Sequence, residues 1–280
     1  MENVIIVNQN KLEEFKKSDI NNIHVLADFD RTLTQAFVNG KKIASLISIL
    51  RDENYLTPDY PEKAKALFEK YHAIEMDFNI SLEEKKEAMK EWWTKHFELL
   101  IASGLEKKDI EEAMKSSNLI LREGVEELLK ILEANNIPLI ILSSSGIGKE
   151  SIISYLKYRE LLLNNIQIIS NYFNWSEDGR ALSAKEPIIH GMNKNQTNVN
   201  DFPEIFEKIK ERKDVILLGD SLSDVDMITG FSYNNLIKIG FLNEDVEENL
   251  ERYKEVYDII ITNDSSIDFV NNLLNEIIVS

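Results

Sequence analysis

Six short, continuous apolar runs are spread through this chain, and each ends in or just before a small, hydroxylated or acidic residue. The runs are IHVLADFD (23–30), IPLIILSSSG (137–146), IQIIS (166–170), VILLGDS (215–221), LIKIG (236–240) and DIIIT (258–262). Continuous rather than alternating apolarity indicates strands that are buried on both faces, as in a parallel sheet. Helical patterns lie between most of the runs, at 123–136, 202–213 and 244–256. The alternation predicts an α/β fold with a Rossmann-like, doubly wound parallel sheet.

One long stretch interrupts this alternation. Between about Phe37 and Asn118 the sequence shows helical patterns and no clear strand. The clearest pattern runs from Ser81 to Ser103, where Ser81 and Glu84 fit a capping box. We therefore expect an all-helical cap at 37–118, inserted after the first core strand, with the core formed by 1–36 and 119–280. A smaller, hairpin-like insertion is expected at 171–183.

Composition limits the kinds of partner. The 280 residues include 32 Lys+Arg and 49 Asp+Glu, a net charge of −17, which disfavours DNA or RNA as the main partner. An anionic substrate would therefore have to meet a local cation or a metal. The chain has no cysteine, which fits a reducing cytoplasmic location. We expect no signal peptide and no membrane segment, because no apolar run approaches the roughly 20 residues that span a bilayer.

Two carboxylates, Asp28 and Asp30, follow the first apolar run with one residue between them. In an extended chain they would point the same way, because side chains alternate with period two. Such a pair suits phosphoryl transfer, in which one carboxylate attacks phosphorus and the other moves a proton. Taken alone, the pair also fits a solvated strand end or a calcium-binding loop.

A second acidic pair, Asp220 and Asp224, lies where another apolar run gives way to a predicted helix. Carboxylate oxygens at a strand end suit Mg²⁺, which prefers one or two carboxylates together with water and phosphate oxygens. The alternative is that Ser223 or Asp224 only caps the helix.

Two further features could bind a phosphoryl group. Ser144, Ser145 and Gly146 follow a strand and precede a helix, where hydroxyl and backbone N–H groups can hold phosphate oxygens. An ordinary turn with capping serines is the alternative. Lys194 precedes the helix that leads to Asp220, and it could supply the positive charge that phosphoryl transfer needs. Most lysines, however, are simply solvated.

The order of these motifs along the chain resembles that of the haloacid dehalogenase superfamily of aspartate-nucleophile phosphatases. The motifs are Asp-x-Asp-x-Thr at 28–32, a strand-end serine, a lysine and Gly-Asp-Ser-x-x-Asp at 219–224. The resemblance implies that Asp28 is the nucleophile and Asp30 the general acid and base. It also implies the ligands of Mg²⁺, which are Asp28, the Asp30 carbonyl and Asp220, with Asp224 in support. The groups that it implies for phosphoryl binding are Ser144 and Lys194, with Ser143 as the alternative to Ser144.

Longer segments resemble the cytosolic pyrimidine 5′-nucleotidase family, also called type III cytosolic 5′-nucleotidases. They are DFDRTLT (28–34), KYHAIEMD (70–77), KEWWTKH (90–96), SNLILREG (117–124), SSGIGK (144–149), ISNYF (169–173), ILLGDSLSDVDM (216–227) and IGFLNEDVEENLERY (239–253). This resemblance implies Mg²⁺-dependent hydrolysis of nucleoside 5′-monophosphates, chiefly UMP and CMP, through an aspartyl phosphate; some members accept 7-methyl-GMP. We expect a monomer or weak homodimer. Arg31 departs from the family, which often has an apolar residue there.

The same resemblance assigns base selection to the cap. Trp92 and Trp93 are adjacent, so on a helix they point about 100° apart, and one of them belongs to the packing while the other can stack on a base. The resemblance selects Trp93 as the base-side residue and Glu75 as a carboxylate near the sugar or base. Both could instead be ordinary helix residues, and we expect His96 to be half-buried packing. The alternative functions are a phosphatase for phosphoserine or a sugar phosphate, and a catalytically inactive binding module.

Overall fold

A seven-stranded sheet forms the centre of the computed structural model, which describes residues 3–43, 45–53, 55–77, 79–197 and 199–279. In spatial order its strands are β1 (Val4–Ile6), β11 (Ile259–Thr262), β10 (Asn235–Leu242), β9 (Asp214–Gly219), β2 (Ile23–Ala27), β5 (Leu139–Ser143) and β6 (Ile166–Ser170). Only β1 runs antiparallel to its neighbour within this sheet. The six apolar runs coincide with the six parallel strands, so the predicted doubly wound α/β core is confirmed.

Helices cover both faces of the sheet, which explains why β2, β5 and β9 are buried along their whole length. One face packs against α1 (Gln9–Phe15), α6 (Val125–Ala134), α7 (Lys149–Tyr158) and α10 (Asp268–Ile278). The other face packs against α8 (Pro203–Ile209), α9 (Val246–Val256) and a 3₁₀ segment at Asp224–Gly230. Burial of a sheet on both faces is what continuous apolar strands require.

The sheet has a switch point beside its central strand. From β2 the chain continues to β5 and β6 on one side, and it later builds β9, β10 and β11 on the other. Ligands of open α/β sheets bind at the carboxyl ends of the strands at such a point. The ends of β2, β5 and β9 carry Asp28, Ser144 and Asp220, so these three side chains are brought to one edge.

Among its described residues the cap has the helices α2 (Leu46–Asp52), α3 (Tyr60–Met76), α4 (Leu82–Ala102) and α5 (Lys107–Ala113). Helix α4 begins as predicted, because the Ser81 hydroxyl accepts the N–H of Glu84 and the Glu84 carboxylate accepts the N–H of Ser81. None of the described helices combines the length and the apolar character that crossing a membrane requires.

Two expectations about the insertion are corrected. It follows the second strand of the chain, since β1 precedes β2. It is also not wholly helical, because β3 (Phe37–Val38) and β4 (Lys41–Lys42) form a short antiparallel ribbon. The turn of that ribbon is Asn39-Gly40, with both φ angles positive, at 51° and 73°. Asn-Gly is a strong hairpin signal, so the sequence did contain the information.

The second insertion in the core forms the predicted hairpin. Its strands are β7 (Phe173–Trp175) and β8 (Ala181–Ala184), which pair antiparallel. Gly179 provides the left-handed residue of the connecting turn, with φ of 86°.

Candidate active site

A cavity of about 350 Å³ lies between the carboxyl edge of the sheet and the cap helices. Its wall contains every site residue predicted from the sequence except Ser145. Those residues are Asp28, Asp30, Glu75, Trp93, Ser144, Gly146, Lys194, Asp220 and Asp224. The fold therefore brings strand-end residues and cap residues, far apart in sequence, to one space.

The centre of the cavity floor is a cluster of buried charges. Asp28, Asp220 and Asp224 each offer an oxygen, and these atoms lie within 4.8 Å of one another. The ammonium of Lys194 donates to Asp28 Oδ1 at 2.6 Å and to Asp224 Oδ1 at 2.8 Å. The other oxygen of Asp224 accepts the backbone N–H groups of Asp220, at 3.0 Å, and Ser221, at 2.9 Å. Asp224 thus holds both the lysine and the loop that carries Asp220.

The loop after β9 is shaped by a glycine and two tyrosines. A Cβ atom at Gly219 would lie 2.4 Å from the Asp224 Cβ, so only glycine allows Asp224 to fold back against the strand end. Tyr253 donates a hydrogen bond to the Asp220 carbonyl, and Tyr257 donates one to the Ser221 carbonyl. Backbone groups on several sides therefore fix the acidic pair.

Burial dominates the electrostatics of this cluster. Burial raises the pKa of Asp28 to about 6, although the charge of Lys194 opposes the shift. Burial, together with the charges of Asp224 and Asp28, raises the pKa of Asp220 to about 8. Burial alone would lower the pKa of Lys194, but the charges of Asp224 and Asp28 outweigh it and raise that pKa above its usual value. Lys194 and the Arg31 guanidinium, which lies 3.6 Å from Asp220 Oδ2 and also pairs with Glu244, thus face three carboxylates. An all-oxygen donor set with excess negative charge fits a hard divalent cation.

Asp30 has a different environment. Its carboxyl lines the cavity and accepts the N–H of Leu46, at the start of α2, at 3.0 Å. Burial, reinforced by the charge of Asp28, raises the pKa of Asp30 to about 7. A carboxyl with a pKa near neutrality can both give and take a proton under physiological conditions, as a general acid and base must.

The turn after Asp30 is held by a buried arginine that the sequence reasoning did not single out. Arg31 adopts a left-handed φ of 62°, and Arg122 donates to its carbonyl and, at 2.7 Å, to that of Thr32. Arg122 also donates to Asn243 Oδ1 at 2.9 Å. The guanidinium of Arg31 lies 2.7 Å from Glu244 Oε1. Nothing local in the LREG segment distinguishes Arg122 from a surface arginine.

The strand-end serines divide into two groups. Ser143 and Ser144 both line the cavity, so the structure keeps both as candidates for contact with a phosphoryl group. The hydroxyl of Ser145 instead lies 3.1 Å from the Ser151 hydroxyl, in the interior. Any contact of Ser145 with a ligand would have to use its backbone N–H.

The cap supplies an aromatic wall. Trp92 and Trp93 both line the cavity. Trp92 is buried and stacks on Tyr71, with 5.9 Å between the ring centroids, whereas Trp93 is half-buried. Phe68 and His72 also line the cavity and stack on each other at 4.8 Å. The sequence reasoning singled out neither Phe68 nor His72. Their spacing of four along α3, one turn before Glu75, was the available signal.

The fold is that of hydrolases of the haloacid dehalogenase type. Aspartates, a lysine and a serine loop at neighbouring strand ends fit that class, and the fold is shared with a HAD family hydrolase from Salmonella enterica serovar Typhi. That likeness has a TM-score of 0.55 at 14% identity and covers 90% of this chain and 71% of the other.

Within that class the chain belongs to the pyrimidine 5′-nucleotidase (UMPH-1) family, whose model matches residues 31–278. It is 38% identical over 266 residues to the 7-methylguanosine phosphate-specific 5′-nucleotidase of Homo sapiens, covering 94% of this chain and 87% of the relative. It is also similar to a solved structure of cytosolic 5′-nucleotidase IIIB bound to cytidine. There the TM-score is 0.87 at 27% identity, over 99% of this chain and 94% of the other. The predicted family is confirmed, and the chain is a nucleotidase by family.

Proposed function

We propose that this protein hydrolyses nucleoside 5′-monophosphates, with UMP and CMP preferred, in a Mg²⁺-dependent reaction that proceeds through an aspartyl phosphate on Asp28. One observation carries the proposal: a single cavity joins the buried cluster of Asp28, Lys194 and Asp224 to an aromatic wall at Trp93. The membership of the pyrimidine 5′-nucleotidase family supports the substrate class.

The first step transfers the phosphoryl group to the protein. A carboxylate oxygen of Asp28 attacks phosphorus, and the bond from phosphorus to the nucleoside 5′-oxygen breaks. Asp30 donates a proton to that leaving oxygen. Lys194 and Ser144 hold the oxygens of the transferring group, which carry negative charge that needs compensation in a site of this kind.

The second step releases phosphate. Asp30, now deprotonated, takes a proton from water, the resulting oxygen attacks phosphorus, and the acyl phosphate bond to Asp28 breaks. A pKa of about 7 suits Asp30 for both roles, because its two protonation states are close in free energy near neutral pH.

Mg²⁺ would be held by Asp28, the carbonyl of Asp30 and Asp220. Asp224 would position these ligands rather than bind the ion directly, since one of its oxygens accepts a hydrogen bond from Lys194 and the other accepts the backbone N–H groups of Asp220 and Ser221. When bound, the ion would offset the repulsion between the carboxylates and the anionic substrate.

A second base class is favoured by one feature of the cap. Glu75 lies in the cavity wall with Phe68, His72 and Trp93, so a carboxylate accompanies the ring faces. Ring faces and a carboxylate attract a positively charged base such as 7-methylguanine more strongly than a neutral pyrimidine. The human relative is named for 7-methylguanosine phosphate, which supports 7-methyl-GMP as the second candidate substrate.

The proposal includes a cytosolic location, supported by the name of the solved neighbour, a cytosolic 5′-nucleotidase. A monomeric or weakly dimeric state stays a prediction.

The test is release of phosphate from UMP, CMP, AMP, GMP, 7-methyl-GMP and phosphoserine, with Mg²⁺ or with EDTA. We expect turnover of the pyrimidine nucleotides only with Mg²⁺, and a loss of at least about 10⁴-fold in Asp28→Asn, since that change removes the nucleophile. Turnover of phosphoserine alone would contradict the nucleotidase proposal while leaving the mechanism. No turnover of any substrate would favour an inactive binding module.

A further inference from the structure

Three consecutive backbone carbonyls, those of Ser144, Ser145 and Gly146, each accept a hydrogen bond from a side chain. We call residues 144–146 the phosphate loop. The Trp93 indole donates to the Ser144 carbonyl at 3.3 Å, and His96 Nε2 lies 2.8 Å from the Gly146 carbonyl oxygen. The Asn171 amide holds the carbonyl between them, at 3.2 Å. The cap thus supplies two of the three donors and the core supplies one.

The contact of His96 with the loop has a defined direction. His96 is buried, and burial lowers its pKa to about 4, so the imidazole is neutral near pH 7. A neutral imidazole carries one N–H, and a carbonyl can only accept. His96 must therefore carry its proton on Nε2 and donate it to the Gly146 carbonyl.

The loop is built to admit this imidazole. A Cβ atom at Gly146 would lie 3.2 Å from His96 Nε2 and 3.4 Å from the Ile47 Cβ, so a larger residue would crowd the histidine. Trp93 and His96 are three residues apart on α4 and therefore lie on one side of the helix, facing the loop. The fit involves both partners, which distinguishes it from a histidine that merely fills a space in the core.

We propose that His96 is a positioning residue for catalysis: from the cap, it fixes the phosphate loop in the conformation that binds the phosphoryl group. A peptide unit is planar and trans, so the bond from His96 to the Gly146 carbonyl also fixes the N–H of Ile147, which donates back to Ser145 Oγ at 3.4 Å and closes the loop on itself. In the same way, the bond from Trp93 to the Ser144 carbonyl fixes the N–H of Ser145. Because α4 also carries Trp93, the helix that contacts the base sets the geometry of the phosphoryl site. This inference rests on the proposed function of the loop and adds a residue to it.

The coupling has a consequence for selectivity. Contacts between the base and the cap stabilise the position of α4, and that position orders the phosphate loop. Binding energy from the base is then used in the phosphoryl transfer step, and a substrate without a base loses rate as well as affinity.

A matched pair of variants tests the proposal. His96→Gln keeps a side-chain N–H near the position of Nε2, whereas His96→Asn is polar but too short to reach Gly146. We measure the affinity of inorganic phosphate by titration calorimetry in Mg²⁺, the KM and kcat for UMP, and the melting temperature. We expect His96→Asn to weaken phosphate binding about tenfold, as the loss of one buried hydrogen bond does, and His96→Gln to restore most of it. Thr94→Ala, on the same helix but bonded to the Lys90 carbonyl, should match the wild type.

Equal phosphate affinity in the Gln and Asn variants would overturn the proposal, as would a fall in melting temperature alone. If neither variant folds, Gly146→Ala applies the same test from the loop, because its Cβ would lie 3.2 Å from His96 Nε2 and push the imidazole by a few tenths of an ångström; unchanged phosphate affinity there would also overturn the proposal. Calorimetry needs no turnover. A wild-type protein that binds phosphate but hydrolyses no nucleotide would contradict the proposed function, and the comparison of the two His96 variants would still stand.

Discussion

The core edge and the cap wall of the same cavity are built in opposite ways. At the core edge, Asp28, Lys194 and Asp224 are each at most 6% exposed and are joined by hydrogen bonds of 2.6 and 2.8 Å. In the cap wall, Phe68 is 36% exposed and stacks on His72, with 4.8 Å between the ring centroids. Charges that do chemistry gain strength from burial, whereas a wall that receives a flat base must keep a ring face open. Substitutions at the edge should therefore change kcat and stability, and those in the wall should change base preference most, with part of their effect in kcat because Trp93 also bonds the phosphate loop.

The largest effect is expected from Lys194→Met at the core edge. Its removal leaves Asp28 and Asp224 buried without their shared cation. We expect kcat to fall by about 10³-fold or more, since positive charge at a transferring phosphoryl group is worth that much. In EDTA the free energy of unfolding should fall by about 3–5 kcal/mol, the cost of breaking a buried ion pair from one side. Steady-state kinetics and urea unfolding measure the two effects.

The control is Lys115→Met, which removes an exposed lysine paired with Glu112. We expect no measurable change in either quantity. Lys194→Met with full activity would show that the buried cluster is structural only, and the contrast between the two regions would then disappear.

The core edge was predictable from sequence for a physical reason. A strand buried on both faces has to be apolar throughout, so its last residue is visible where polarity returns, and parallel topology then brings Asp28 and Asp220 together. Strand β1 lies in a short apolar run of the same kind, VIIV at 4–7, which the sequence reasoning did not use. The ribbon at Asn39-Gly40 was not predicted because its second strand is Lys41-Lys42, which has no apolar residue, although the Asn-Gly turn is a hairpin signal in the sequence.

The cap wall was not predictable in the same way. Phe68 and His72 belong to α3, and their place in the cavity depends on how α3 packs on α4 rather than on any local pattern. His96 was expected to be half-buried packing, and the structure instead buries it against Gly146, fifty residues along the chain. A tertiary contact of that separation leaves no trace in the spacing of one helix.

The second prediction concerns pH and the metal at the core edge. In the folded state the pKa of Asp30 is about 7 and that of Asp220 about 8, both above the usual 3.8, so the folded state binds more protons than the unfolded state. Stability in EDTA should therefore fall as pH rises from about 6.5 to 8, by about 2 kcal/mol. The three buried histidines offset part of this fall, because burial lowers the pKa of each to about 4 while the unfolded state still binds protons near pH 6.5. Their contribution rises by about 1 kcal/mol over the same interval, so the net fall should be about 1 kcal/mol.

Mg²⁺ should remove most of that dependence, because an ion bound to the folded state favours the ionised carboxylates. Urea unfolding at both pH values, with EDTA or Mg²⁺, measures it, and Asp220→Asn should flatten the EDTA profile. Stability that rises over this interval in EDTA would show that the acidic residues are already compensated within the protein.

The third prediction moves to the cap wall. Trp93→Leu removes the half-buried ring that lines the cavity, and we expect kcat/KM to fall about tenfold more for UMP than for ribose 5-phosphate, which has no base to stack. Trp92→Leu removes the ring that packs on Tyr71, and it should lower the melting temperature more than it changes this ratio. Equal losses for both substrates in Trp93→Leu would assign Trp93 to loop positioning rather than to stacking.

The smallest effect is expected at Glu75, whose side chain is 32% exposed and lies 3.1 Å from His72 Nδ1. Glu75→Gln keeps the size of the side chain and removes its charge. Solvent screens a carboxylate at this position, so we expect kcat/KM to fall only about fivefold for 7-methyl-GMP and less than twofold for UMP. Competition between the two substrates in one reaction measures the ratio directly.

A carboxylate that contacts the ribose would affect both substrates alike, because they share that sugar, whereas one that faces the base would discriminate the cationic base from the neutral one. Equal losses would therefore place Glu75 at the sugar and leave base preference to the ring faces of the cap wall alone.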